Sequence, residues 1–189
     1  MDKNQDFSQK TDQDIVKLTL ENQDNFLHIV NRYEKKLLRF ILRISNTSLE
    51  EAQDLLQEIF IKIYQNINSY NSNLKFSSWV YQIARNHVIS HYRKNKNKIF
   101  LLSSEANEEA LNNLASEFDI NKKIDRQILK NNITEALNNM ENKYREVIIL
   151  KYFEEKSYQE ISDIMKKPAG TIATYLNRGK KKFKKIFDE

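Results

Sequence analysis

A chain of 189 residues with a formal charge of +5 can form one large domain or two small ones, and its mild basicity favours a polyanionic partner. The absence of cysteine excludes disulfides and thiolate metal sites, and two glycines with one proline leave few tight turns and point to helices. No stretch reaches the length of a membrane span and the N-terminus is polar and acidic, so a cytoplasmic location is expected.

Residues 1–11 are polar and are expected to be disordered. Ile15, Val16, Leu18 and Leu20 open a first helix, and Phe26, Leu27, Val30, Tyr33, Leu37, Leu38, Ile41 and Ile44 form a long second one. Ser48 and Glu51 read as a capping box for a third helix. That helix carries Ala52, Leu55, Leu56, Ile59, Phe60 and Ile63 on one face. An Asn- and Ser-rich loop runs from Asn68 to Lys75, and Ser77 or Ser78 is expected to cap a fourth helix ending near Lys94.

Residues 99–124 read as an acidic tether with Ser103, Ser104, Glu105, Glu108, Glu109, Glu117 and Asp119 among scattered apolar residues. Helical pattern resumes at residue 125 and holds to the end. Within it Ser157 and Glu160 make a second capping box, and Pro168 suits the first position of the following helix. Ile172, Leu176, Gly179 and Phe183 line that last helix, while Thr174, Asn177, Arg178 and Lys181 take its other side. Two short helices, a tight turn and a polar, basic second helix match what major-groove reading requires. The fold expected is therefore all-α: residues 12–98 form one helical domain, and residues 125–189 a second with a helix-turn-helix.

Two further surfaces stand out. Opposite the apolar stripe of the third helix, Asp54, Gln57, Glu58 and Ile61 share one exposed face, either a docking surface for a partner helix or a solvated acidic face with one isoleucine. The fourth helix and its approach interleave Tyr70, Phe76, Trp79 and Tyr81 with Gln82, Arg85, Asn86 and Arg93. Such a set can hold unstacked bases, although Trp79 and Phe76 serve equally well as core anchors. His87 and His91 lie one turn apart without an evident third ligand. No glycine-rich phosphate loop, nucleophile elbow or catalytic constellation is present, so neither an enzyme, a metal nor a cofactor is indicated.

Together these residues resemble a bacterial RNA polymerase sigma factor of the extracytoplasmic-function (ECF) branch, over residues 12–187. The run from Glu51 to Phe60 is similar to the family's clamp-binding segment. The run from Lys75 to Asn86 is similar to its promoter-melting segment, and Tyr144 to Leu150 with the helix-turn-helix to its upstream-element reader. The resemblance implies that Asp54, Gln57, Glu58 and Ile61 dock on the clamp coiled coil of core polymerase. It further implies that Tyr70, Phe76, Trp79, Gln82, Arg85, Asn86 and Arg93 engage the melted strand. Arg145, Thr171, Ala173, Thr174, Tyr175, Arg178 and Lys181 would meet upstream duplex. Ala173 stands where the family usually has Lys or Arg, which leaves Thr171, Thr174, Tyr175 and Arg178 as the readers. The implied partners are core polymerase and promoter DNA, and the exposed docking faces would also suit an anti-sigma factor. The alternative is a stand-alone helix-turn-helix activator or repressor, which has no use for the exposed face of the third helix.

Overall fold

The computed structural model describes residue 7 and residues 9–45, 47–94 and 126–188. Helix α1 (Asp12–Glu21) starts at a capping box that the sequence reading did not single out. The Thr11 hydroxyl accepts the Asp14 amide, and the Asp14 carboxylate accepts the Thr11 amide. Those Thr11 hydrogen bonds hold the Asp14 carboxyl below its usual range. Nor does the expected N-terminal disorder extend to Phe7 and Lys10. The Phe7 ring stacks on His28, and Arg32 donates to the carbonyls of Phe7 and Lys10 while pairing with Asp12.

Helix α2 (Phe26–Ser45) buries Ile29, Tyr33, Leu37, Phe40, Ile41 and Ile44, and packs on α3 (Leu49–Asn66) and α4 (Phe76–Lys94). Each such side chain, fully buried, contributes about 1.5–3 kcal/mol, so these stripes hold the first half together. At the start of α3 Ser48 accepts the Glu51 amide as expected, but the reciprocal half of the box is absent. The Glu51 carboxylate instead takes the Thr47 hydroxyl and faces His91 at 3.0 Å. Neither Ser77 nor Ser78 caps α4: the helix begins earlier, at Phe76, and Ser78 is buried within it. Phe76 explains the earlier start, because its ring inserts edge-on between Tyr33 and Tyr70 and brings the backbone into the helix with it.

The second half comprises α5 (Arg126–Asn138), α6 (Asn142–Ile148), a π-helical turn (Ile149–Phe153), α7 (Tyr158–Met165) and α8 (Ala169–Asp188). The Ser157–Glu160 box is complete in both directions. Helix α7 ends at Lys166, whose φ of 52° places it in the left-handed region. Pro168 is the residue before α8 rather than its first member, and its carbonyl accepts the amides of Thr171 and Ile172. Gly179 of α8 faces α6, where a Cβ would sit at ordinary contact distance, 3.4 Å from Ile148 Cγ1 and 3.5 Å from Tyr144 Cβ.

The two halves touch. Helix α7 rests on α4, and α6 with the π-helical turn meets the C-terminal part of α2. The acidic tether expected at residues 99–124 lies outside the described residues.

Candidate partner and nucleic-acid interfaces

Helix α3 separates its two faces cleanly. Ala52, Leu55, Leu56, Ile59 and Ile63 are buried, whereas Asp54, Gln57, Glu58 and Ile61 face outward, and Ile61 is 56% exposed. Glu58 is tied down by His87 of α4 at 2.8 Å. Burial, followed by the positive charge of Lys62, holds the His87 imidazole below its ordinary range in spite of Glu58.

Beside that pair lies a cavity of about 370 Å³ lined by Lys62, Asn66 and Ser69 from one side and Trp79, Asn86 and His87 from the other. Of the residues expected to meet a melted strand, Trp79 and Asn86 line this cavity, Asn86 exposed and Trp79 half-buried. Phe76 does not: it is 2% exposed, and its ring serves as a wall for Trp79 at 5.6 Å instead of a stacking platform. Tyr70 packs on both Phe76 and Trp79, and its hydroxyl donates to the Leu74 carbonyl, which braces the loop. Gln82 is half-buried one turn from Trp79. Arg85 is engaged elsewhere, its Nε donating to Glu146 of α6 at 2.6 Å. Arg93 is exposed and lines a different cavity, between the halves, with Ile44, Tyr92 and Arg145. Lys62 and Asn66 were absent from the sequence reading, and His87 entered it only as one of two histidines a turn apart. Lys62 and Asn66, one turn apart on the polar side of α3, were the available signal.

On α8 the buried edge is Ile172, Leu176 and Phe183, and Thr174, Arg178 and Lys181 are exposed on the outer edge. Thr171, Ala173 and Tyr175 are half-buried, and the Tyr175 ring meets Tyr144 edge-on at 5.9 Å. A Cβ at Gly170 would meet nothing within 4 Å, so the start of this helix is open to an approaching surface. Arg145 is not on that edge. It is 9% exposed, donates to the Ile44 carbonyl at 3.2 Å and to Asn142 at 2.9 Å, and burial lowers its pKa. Glu141, bridged by Lys182 and Lys143, is held down to about 2 by those two contacts. His87 and His91 pair with different glutamates, and no group of three potential metal ligands occurs among the described residues.

Residues 29–98 match the model of Sigma-70 region 2, and residues 130–183 that of Sigma-70 region 4. Over 169 residues, covering 87% of this chain and 89% of the relative, the sequence is 36% identical to the ECF RNA polymerase sigma factor SigW of Bacillus subtilis. The chain belongs to the ECF sigma factors. As a sigma factor it binds core RNA polymerase and promoter DNA and directs transcription initiation. Its fold is also that of CnrH, solved in complex with the cytosolic domain of CnrY (TM-score 0.69, 16% identity, 95% of this chain and 98% of that one). RpoE of Bartonella quintana, solved with the anti-sigma factor NepR, shares it too (TM-score 0.65, 20% identity, 87% and 97%). The α3 stripe and the Trp79–Asn86 cavity of the sigma factor fall inside the region 2 match, and α8 carries most of the helix-turn-helix within the region 4 match. No helix among its described residues is long and apolar enough to cross a membrane.

Proposed function

We propose a division of labour among these surfaces in a cytoplasmic, non-catalytic initiation factor, with bond-making left to the polymerase. Asp54, Gln57, Glu58 and Ile61 dock on the clamp coiled coil, where Ile61 loses its water and the two carboxylates meet basic groups of the partner. The cavity beneath Trp79 and Asn86 takes one unstacked base of the melted strand, with Gln82 alongside. Its size suits a single base, and its aromatic wall and amide match the way unpaired bases are held. Thr174, Arg178 and Lys181 lead the contact of α8 with upstream duplex, Thr171 and Tyr175 supporting them from half-buried positions. Arg145 acts by joining the halves, its guanidinium being turned away from the DNA edge.

The observation that carries this reading is the α3 stripe: an isoleucine over half exposed beside two carboxylates, on a helix whose other face is sealed. A stand-alone repressor leaves that stripe without a role. Run-off transcription with core polymerase on sheared genomic DNA tests the reading, comparing the natural chain with Asp54→Lys/Glu58→Lys. Discrete new transcripts with the natural chain and none with the variant are expected, helix content being equal. Equal transcription by both would refute the docking assignment.

A further inference from the structure

The cavity that Arg93 and Arg145 share contains a buried charge with no counterion. It measures about 370 Å³ and lies where α4 and the end of α2 face α6. Ile44, Val88, Ile89 and Tyr92 line it from one side together with the exposed Arg93, and Asn142, Arg145 and Glu146 line it from the other. It shares no residue with the α3 stripe or with the cavity under Trp79.

Arg145 is 9% exposed, yet its hydrogen bonds go only to neutral acceptors: Nη2 donates to the Ile44 carbonyl and to Asn142 Oδ1. Nε is buried without a partner, and Nη1 donates to nothing among the described residues. No carboxylate pairs with this guanidinium. Glu146, next in the chain, is the one charge that supports its ionised form against burial, and that carboxylate is already taken by Arg85 Nε at 2.6 Å. Arg93 pairs with no carboxylate either among the described residues. A guanidinium does not give up its proton, so a buried one without a counterion is costly to keep. With Arg85 and Glu146 cancelling each other, Arg145 and Arg93 leave the cavity two positive charges in excess.

Charge and lining together define a ligand. The excess of positive charge calls for an anion, and guanidinium N–H groups match the two coplanar oxygens of a carboxylate. The apolar side chains offer nothing to a bare inorganic ion and favour an apolar body joined to that carboxylate. Glu146 lines the same space, so a second negative charge on the ligand is repelled. The volume falls near the lower end of the range of small-molecule sites, ~300–1,000 Å³. We propose that this cavity binds a small organic monocarboxylate. Its carboxylate meets Arg145 Nη1 and Arg93, and its apolar body lies against Ile44, Val88 and Ile89.

Isothermal titration of the full chain with two probes tests the site: phenylacetate, a carboxylate on an aromatic body, and isovalerate, one on a branched aliphatic body. The better of the two should bind one to one with a Kd on the order of 0.1–1 mM, as suits ligands of this size. 2-Phenylethanol carries the aromatic body without charge and phenyl phosphate carries it with two charges. Each should bind at least about tenfold more weakly than phenylacetate. Arg145→Gln removes the guanidinium and should lower carboxylate affinity at least about tenfold. Should Arg145→Gln fail to fold by circular dichroism, Ile89→Trp serves instead. It fills the cavity from a residue that is already 37% exposed, leaves both arginines in place, and should cost the same affinity. Absence of binding by both carboxylates at millimolar concentration overturns the site. Equal binding of the alcohol reduces it to an apolar void, and equal binding of phenyl phosphate contradicts the preference for a single charge. Unchanged affinity in a folded variant places the ligand elsewhere. Any one of these results overturns the proposal.

Discussion

Gly179 offers a quantitative check on how α8 is seated. A glycine inside a helix costs about 1 kcal/mol relative to alanine, so Gly179→Ala recovers that amount if the added methyl finds room. The nearest atoms to the new Cβ are Ile148 Cγ1 at 3.4 Å, then Tyr144 Cβ and the Tyr144 carbonyl at 3.5 Å. These are ordinary contact distances, each adding about 0.1–0.2 kcal/mol of dispersion for carbon, against a few tenths for any adjustment of Ile148. The net expectation is stabilisation by about 0.5–1 kcal/mol, or about 1–4 °C in Tm for a chain of this size. Urea unfolding followed by circular dichroism gives the midpoint directly. Gly179→Leu drives further carbons into the Tyr144 backbone and should lose about 1–3 kcal/mol by overpacking. A lower midpoint for Gly179→Ala would refute the packing of α8 on α6 at this separation.

Asn86→Ala removes an exposed amide, so stability should change by less than about 0.5 kcal/mol while promoter opening, read by permanganate reactivity of unpaired thymines, falls sharply; unchanged opening would remove Asn86 from the cavity's role. Lys166→Gly relieves a left-handed residue at the end of α7 and should raise stability by up to about 1 kcal/mol, visible as a higher urea midpoint with duplex binding intact. For His87 the folded pKa lies below the unfolded value of 6.5, because of burial and Lys62. The unfolded chain then binds the proton more readily, so its contribution is complete above about pH 6.5 and is lost as pH falls through the folded pKa. His87→Gln should flatten the stability–pH curve in that window, and a curve of unchanged slope would contradict the assignment.

What was legible in the sequence was local. The stripes of α2 and α3 sit at helical spacing, and Ser157 with Glu160 closes a box three residues apart, so these features needed no knowledge of distant chain. The failures were long-range. Glu51 leaves the Ser48 box because His91, forty positions away, and Thr47 compete for its carboxylate. Phe76 reads equally as a base-holding aromatic or a core anchor until Tyr33 and Tyr70 are seen to enclose it. Arg145 and Arg85 read as nucleic-acid contacts, yet in the structure they are engaged by Ile44 and Glu146 of the opposite half. Periodicity marks which face of a helix turns inward and carries no information on which charge on another helix will meet it.

The open space around Gly170 separates two demands on α8. Ile172, Leu176 and Phe183 hold the helix in place from its buried edge, while Thr174 and Arg178 meet solvent on the other. A larger side chain at position 170 encounters no neighbour, and any residue but proline improves on glycine as a helix former there. If the outer edge meets duplex as proposed, single substitutions along it can change promoter preference without passing through a destabilised intermediate. Under that reading the buried edge keeps the framework while the outer edge is free to vary.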